Sequence, residues 1–222
     1  MSDVILMGDP RISRVPVEEC GEDLVDVRSV AGQPLRLDDL KLDDTGACAH
    51  LRRSLVDRLL EAQSQPPDDH RLLLVEGFRP DHLQRLYFDR YRQGLVDDDP
   101  GLEPDESFRL ASRYVSPPEV APHVSGAAID LTLADPSGAE LDLGAPVNAT
   151  PEASAGACYF AADNITADAR EHRRVLARAL TGAGLVNYPT EWWHWSYGDR
   201  YWAHATDRPA AIYGPLALTS AG

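Results

Sequence analysis

The chain of 222 residues has little of what would place a protein in a membrane or outside the cell. It contains no run of about 18 apolar residues, the length that a helix needs to cross a bilayer. Its first residues, MSDVILMGDP, carry an early acid and no basic segment of the kind that opens a secretory signal. We therefore expect a cytoplasmic protein that has no membrane partner.

Cysteine is also scarce. The three cysteines, Cys20, Cys48 and Cys158, are an odd number, lie far apart and form no Cys-x-x-Cys pair. This spacing argues against a disulfide framework and is typical of a protein from a reducing compartment.

Positive charge is in short supply, and Lys41 is the only lysine. The chain has 21 Lys and Arg against 36 Asp and Glu, a formal net charge of −15. A phosphate backbone would be repelled, which excludes a nucleic-acid partner. The 43% hydrophobic content is enough for a core, and the length predicts one domain over residues 1–222. Within it, residues 1–40 alternate short apolar runs with Pro, Gly and Asp, which predicts an extended N-terminal wrapping segment.

Hydrophobic periodicity and turn residues predict a single α+β domain with a mostly antiparallel sheet packed against helices. A period of three to four residues predicts helices over 47–62, 79–95, 103–113 and 166–184, the last with Thr166 as its N-cap. Apolar runs and alternation predict strands over 71–77, 127–135, 185–189 and 191–197, and a turn at DPSG predicts that 139–144 folds back as a hairpin.

His123 and Asp130 stand out near the start of one predicted strand, in PHVSGAAIDLTL. Seven positions separate them, and an odd separation along a strand directs side chains to opposite faces, so the chain must break its regularity at Gly126 for both to converge. Asp130 is an acid inside an apolar strand, and a buried carboxylate is costly unless it is paired or bound to metal. The alternative is that Asp130 faces solvent.

Glu191 and His194 pose a similar problem in EWWHWSY, which holds three of the four tryptophans. At a separation of three they face opposite ways on a strand, so a bend after Pro189-Thr190 is needed to bring Glu191 round. Two imidazoles and a carboxylate suit a zinc ion that keeps one position open, and Glu191 would then be a candidate general base. Spacing alone leaves this open.

Several short motifs, taken together, resemble the signature of the D-alanyl-D-alanine dipeptidases of the VanX type, within the wider group of zinc D,D-peptidases and hedgehog-like domains. HVSGAAID matches His-x-x-Gly-x-Ala-x-Asp and EWWH matches Glu-x-Trp-His, while EGFRP resembles a strand-end motif. The resemblance extends from about residue 25 to residue 202. The matching residues are Arg79, His123, Gly126, Ala128, Asp130, Glu191, Trp193 and His194.

The resemblance implies a hedgehog-like fold with one Zn²⁺ at the centre of the sheet, held by His123, Asp130 and His194. Glu191 would move a proton from the attacking water to the leaving amine. Arg79 would stabilise the oxyanion, although a salt bridge that caps the following helix is the alternative. The three tryptophans of EWWHWSY would pack around His194, with Trp193 beside the substrate.

Two positions depart from the family's pattern, and both concern the substrate. Ala121 stands where the family typically has a serine that helps to hold the dipeptide, and Asn148 stands where it has an aspartate that grips the free amino group. An amide cannot pair with an ammonium ion, which would cost about 1.5–3 kcal/mol of recognition.

The resemblance therefore predicts a cytoplasmic zinc dipeptidase that hydrolyses a small D-residue dipeptide such as D-Ala-D-Ala and so acts on cell-wall precursors. One alternative is a related zinc amidase or dipeptidase for another small substrate, a biosynthetic or wall-recycling fragment. Another is a zinc-binding module without turnover, although Glu191 counts against it. The sequence does not indicate an oligomeric state.

Overall fold

The computed structural model describes residues 4–32, 35–42, 44–67 and 70–216. The described residues form both helices and strands, which is the α+β fold class that the sequence predicted. No helix among them combines the length and the apolar character needed to cross a bilayer. The helices are α1 (Pro10–Ser13), α2 (Arg53–Gln63), α3 (Asp81–Asp98), α4 (Pro104–Ala111), α5 (Ala167–Gly182) and α6 (Arg200–Ala205). The strands are β1 (Leu24–Asp26), β2 (Arg36–Leu37), β3 (His50–Arg52), β4 (Arg71–Glu76), β5 (Ala128–Ala134), β6 (Val186–Asn187) and β7 (His194–Ser196).

A mixed five-stranded sheet organises the molecule, in the order β2-β4-β5-β7-β6. Only the β2–β4 pair is parallel. β1 and β3 form a separate antiparallel pair. The central strand, β5, is buried along its whole length, and apart from Asp130 and Thr132 its residues are apolar.

Side-chain alternation gives the two faces of β5 different roles. Ile129, Leu131 and Leu133 face a core built with residues of α2 and α5, such as Leu55 and Leu176. Asp130 faces the other way. In the sheet register Asp130 lies opposite His194 on β7 and opposite Glu76 on β4, beside an irregularity between Leu74 and Glu76. Three side chains that can do chemistry therefore lie in one row across the middle of the sheet.

Two predicted elements differ from the structure at their ends. The helix predicted over 47–62 begins only at Arg53, because Ala47–Ala49 form a 3-10 turn and β3 pairs with β1. The hairpin predicted at 139–144 is reduced to a single bridge between Ala134 and Glu140. In the first case, pairing with the distant strand β1 overrides the local helical pattern. In the second case, the predicted strand makes only one bridge to β5 among the described residues, so the local pattern does not produce a hairpin.

The other predicted helices and strands are present. Thr166 caps α5, since its Oγ1 accepts a hydrogen bond from the Ala169 N–H at 3.0 Å. The strand predicted over 191–197 is shorter, because the chain turns before β7. The described part of the N-terminal segment contains α1, a 3-10 turn over Val27–Ser29 and the short strands β1 and β2.

Candidate metal centre and its cavity

His123, Asp130 and His194 converge at the centre of the sheet, and all three are buried. Asp130 Oδ1 lies 3.0 Å from His194 Nδ1 and 3.3 Å from His123 Nε2, and the two nitrogens are 3.2 Å apart. The alternative in which Asp130 faces solvent is therefore wrong. Three potential metal-binding atoms from two strands and one turn form a triangle about 3 Å on a side.

Gly126 supplies the break in regularity that the odd separation of His123 and Asp130 required. His123 lies in a 3-10 turn, Pro122–Ser125, and Gly126 closes it with φ +68°, a conformation that favours glycine. A Cβ at Gly126 would lie 2.3 Å from Leu24 Cδ2, so the Leu24 side chain of β1 would have to move to make room for it.

The His123 ring is held in one tautomer. Its Nδ1–H donates to the carbonyl oxygen of Gly77 at 2.7 Å, and a carbonyl can only accept. With Nδ1 as the donor to Gly77, Nε2 is the ring nitrogen that faces Asp130 and His194. Such a second hydrogen bond on a metal-ligating histidine orients the ring and raises its basicity.

The protonation states of the cluster suit a cation. Burial raises the pKa of Asp130, but His123 and His194 lower it more, so the side chain is a carboxylate. Burial lowers the pKa of His194 despite the Asp130 charge, which favours a neutral ring. His194 Nδ1 lies 3.0 Å from Asp130 Oδ1, and His194 Nε2 is buried and has no partner among the described residues. Two imidazoles and one carboxylate are a donor set that zinc prefers.

Glu191 lies beside this cluster but outside it. The chain turns immediately before β7, with the Glu191 N–H donating to Tyr188 O at 2.9 Å, so the bend predicted after residues 189–190 is present. Glu191 Oε2 lies 3.8 Å from His194 Nδ1, beyond hydrogen-bond distance. Burial and the nearby charge of Asp130 raise the pKa of Glu191 well above its ordinary value, while Arg79 opposes this shift.

Arg79 follows β4 and is buried beside the same row of side chains. Its Nε and Nη2 donate to the two Glu76 oxygens at 2.7 and 2.6 Å, and its Nη1 donates to Gln84 Oε1 at 2.8 Å. Burial lowers the pKa of Arg79, but the Glu76 carboxylate raises it further, so the group stays cationic. A guanidinium carries five N–H groups, which leaves two for another acceptor. The predicted salt bridge exists, but it joins Arg79 to the preceding strand and does not cap α3.

Glu76 and Gln84 orient Arg79, and the sequence did not predict a role for either residue. Glu76 carries a signal similar to that of Asp130, since it is an acid that follows a run of apolar residues in LLLVEGFRP. Gln84 has no comparable signal, because its contact with Arg79 depends on how α3 packs.

A cavity of about 520 Å³ opens onto His123, Asp130 and His194. Its volume lies within the range of sites that bind small molecules. Asn148, Glu191 and Arg79 line it, but Ala121 and Trp193 do not. Both are buried in the protein, so the geometry does not support the direct substrate contact predicted for them. Trp193 instead packs edge-on against Trp192 in the main core, behind His194. The other lining residues are Lys41, Tyr87, Arg90, Tyr91, Gly94, Leu95, Asp98, Tyr114, Val115, Ser116, His123, Asp130, Thr150, Glu152 and His194.

Arg173 of α5 organises the loop that carries Asn148, and the sequence did not predict it. Its buried guanidinium donates to the carbonyl oxygens of Leu143, Ala157 and Tyr159 at 2.6–2.7 Å. Burial without a carboxylate partner lowers its pKa to about 10.

Comparisons with known proteins agree on one family. A family model described as D-Ala-D-Ala dipeptidase matches residues 44–210, well over half of the chain. The D-alanyl-D-alanine dipeptidase of Synechocystis sp. is 26% identical over 235 residues, covering 90% of this chain and 94% of the relative. The enzyme of the same name from Enterococcus faecium is 27% identical and covers 65% and 71%. That from Escherichia coli is 38% identical over 72 residues, about a third of each chain.

One solved structure, that of the LdcB LD-carboxypeptidase, overlaps 86% of this chain and 76% of its own. The TM-score is 0.43 and the sequence identity is 18%.

Proposed function

Because the chain belongs to the D-Ala-D-Ala dipeptidase family and is a metallopeptidase, we propose that it is a zinc-dependent dipeptidase for a small D-residue dipeptide such as D-Ala-D-Ala. The observation that carries this proposal is the triangle formed by His123, Asp130 and His194 at the floor of a cavity, with the Glu191 carboxyl group 3.8 Å from His194 Nδ1. One domain spanning residues 1–222 would carry the activity.

The three cluster residues would hold one zinc ion. Three protein ligands leave a coordination position open, the arrangement typical of catalytic rather than structural zinc. When bound, the metal supplies Lewis acidity, which makes water a stronger nucleophile at neutral pH and polarises a carbonyl group.

Glu191 would accept a proton from the attacking water and give it to the leaving nitrogen. A general base works best when its pKa lies near the working pH, and burial together with the Asp130 charge moves the pKa of Glu191 in that direction. A module without turnover would have no use for a buried carboxyl group at this point, since burying it is costly.

Arg79 would donate hydrogen bonds to the negative oxygen that develops on the carbonyl carbon. Its bidentate pair with Glu76 fixes the guanidinium plane before the substrate binds. A donor held in place in advance costs no reorganisation during the reaction, and one such donor is worth about 3 kcal/mol in the transition state.

The test is Glu191→Gln, which keeps the shape of the side chain and removes the base. We expect the release of D-alanine from D-Ala-D-Ala to fall by about 10²–10⁴-fold, with metal content unchanged. Glu171→Gln, on the exposed face of α5, is the matched control and should keep full turnover. Full activity in Glu191→Gln would disprove the proposed role of Glu191 as base.

A further inference from the structure

The 3-10 turn Pro122–Ser125 and the Gly126 that ends it place His123 at the metal cluster. Two consecutive carbonyl oxygens at the end of this turn accept hydrogen bonds from one residue, Arg52 of β3. The Arg52 Nε donates to Ser125 O at 2.7 Å, and the Arg52 backbone N–H donates to Gly126 O at 3.0 Å. Arg52 and Ser125 are 73 positions apart in the sequence, so the fold alone brings them together.

The Arg52 guanidinium is completely buried and completely hydrogen-bonded. Its relative exposure is 0%, and burying a charge is costly unless the group is paired and bonded. Its Nη1 and Nη2 each donate to one oxygen of the Glu19 carboxylate at 3.0 Å. Nη1 also donates to Glu22 O, and Nη2 also donates to Gly214 O at 3.2 Å. With the bond to Ser125, all five N–H groups have an acceptor, which fixes the guanidinium in place.

Glu19 is itself held in place by backbone groups. Its Oε2 accepts a hydrogen bond from the Gly214 N–H at 2.6 Å, and its Oε1 accepts one from the Gly21 N–H at 2.8 Å. Burial raises the pKa of Glu19, but these N–H groups and Arg52 lower it more, so the side chain is a carboxylate. The ion pair therefore joins segments near the two ends of the described chain to β3.

The ring of His123 depends on the same segment, the one that ends at Arg52. Gly77 O accepts the hydrogen bond from His123 Nδ1 at 2.7 Å, and the Gly77 N–H donates to Cys48 O at 2.7 Å. A Cβ at Gly77 would lie 2.6 Å from His50 O, so the two segments are in close contact. The segment therefore supports the His123 ring through Gly77 and the His123 backbone through Arg52.

A role in stability alone would require only the contacts of Arg52 with Glu19 and the terminal segments. The bonds to Ser125 and Gly126 add a constraint on orientation, because they fix two consecutive peptide units of the turn. A rotation of these units would move His123 Nε2 away from Asp130 Oδ1, which lies 3.3 Å from it.

From these contacts we infer that Arg52 is a positioning residue for the metal ligand His123, and that Glu19 fixes Arg52 in this role. This inference rests on the proposed function. A ligand that is already in place does not have to be ordered when zinc binds. Substitution of a group that orients a metal ligand typically costs about 10–100-fold in metal affinity.

The first experiment measures the zinc Kd of folded Arg52→Lys by competition with a chelator, together with the absorption spectrum of its Co²⁺ form. Lysine keeps the charge but has three N–H groups in place of five, so it cannot reproduce the bonds of the planar guanidinium. We expect the Kd to rise by about 10–100-fold. The d–d bands of Co²⁺ should change, because they report the geometry of the ligands.

Arg173→Lys is the matched control. Arg173 is also a buried arginine that donates to backbone carbonyl oxygens, but these belong to residues 143–160 and not to the turn that carries His123. Both variants should lose stability in urea, whereas Arg173→Lys should keep the zinc Kd and the Co²⁺ spectrum of the natural protein. An equal rise of Kd in both variants would trace the effect to general destabilisation and would overturn the inference.

Glu19→Gln tests the same network without replacing a buried residue, since the Glu19 side chain is 37% exposed. It decides the matter if Arg52→Lys does not fold. An amide has one oxygen and no charge, so Arg52 loses one of its two bonds to this residue. We expect the zinc Kd to rise by at least about threefold. Glu18→Gln, at the neighbouring exposed position, should leave it unchanged.

The outcomes separate the inference from the proposed function. A natural protein that binds no zinc would overturn both. Zinc-dependent cleavage of D-Ala-D-Ala by the natural protein, with an unchanged zinc Kd in folded Arg52→Lys and in Glu19→Gln, would overturn the inference alone.

Discussion

Asp130 and Glu191 are two buried carboxyl groups beside the same histidine, yet their pKa values move in opposite directions. Hydrogen bonds and charge from His123 and His194 lower the pKa of Asp130 more than burial raises it. Glu191 lacks such partners, so burial and the negative charge of Asp130 raise its pKa. Carboxyl groups whose environments separate their pKa values can take different roles, and the proposed function assigns Asp130 as a ligand and Glu191 as a base.

These shifts predict the number of protons released when metal binds. In the metal-free protein the pKa of Glu191 is raised, so the carboxyl group keeps its proton at a pH where an ordinary glutamate is ionised. A nearby cation lowers the pKa of Glu191, so metal binding releases this proton. Asp130 is already ionised and His194 already neutral, so neither adds to the release. Calorimetry of zinc binding at about pH 6 in buffers of different ionisation enthalpy should show a smaller proton release for Glu191→Gln than for the natural protein. Equal release would show that Glu191 is already ionised without metal.

At the scale of single residues, the sequence singled out Asp130 as an acid in an apolar setting, and the resemblance of the motifs implied the ligand set and the candidate base. It did not identify the partners of Arg79. Glu76 and Gln84 acquire their roles through the register of β4 and the packing of α3, which local patterns do not encode.

At the scale of elements, the site depends on the 3-10 turn that carries His123 into the row formed by β5 and β7. The turn must end at Gly126, where φ is positive and β1 passes close by. Gly126 therefore links the position of a metal ligand to the packing of the β1–β3 pair.

Gly126→Ala should destabilise the fold and weaken metal binding together. A positive φ costs an alanine about 1–2 kcal/mol, and the contact with Leu24 adds to this, so we expect a loss of at least about 2 kcal/mol in the free energy of unfolding. Urea denaturation and zinc titration measure the two effects. Gly182→Ala is the control, since its Cβ meets nothing and its stability should stay within about 1 kcal/mol of the natural protein. A Gly126→Ala protein with normal zinc affinity would contradict the link.

Element boundaries were less predictable than element types. The apolar period over 47–62 is helical, but Leu51 pairs with Val25 in a strand ladder, and only Arg53 onward forms α2. By contrast, β4, α3 and α5 agree with their patterns, because a long apolar run or a long amphipathic period outweighs distant contacts.

At the scale of the whole molecule, the three candidate metal-binding residues come from segments that are far apart in the sequence. His123 and His194 are 71 positions apart, and β5 and β7 meet only through the fold. A cation that binds this cluster binds the folded chain and not the unfolded one, so it stabilises the whole protein.

Removal of metal should therefore lower Tm and abolish activity, and zinc should restore both. At a free zinc concentration 1,000 times Kd the expected stabilisation is about 4 kcal/mol. His123→Ala should lose this zinc-dependent shift, whereas His82→Ala, exposed on α3, should keep it. A Tm that does not respond to a chelator, in protein shown to have contained zinc, would argue against a site at the centre of the sheet.

The sequence by itself determined the fold class, because periodicity is a local property of the chain, and the resemblance of its motifs implied which residues form the candidate metal site. Only the tertiary structure decided that the three ligating atoms meet within about 3.3 Å, that Glu76 holds Arg79, that Trp193 lies behind the site, and that the cavity extends along α3. These features depend on strand register and helix packing. Strand register and helix packing arise from contacts between residues far apart in the chain, and no local sequence pattern predicts such contacts.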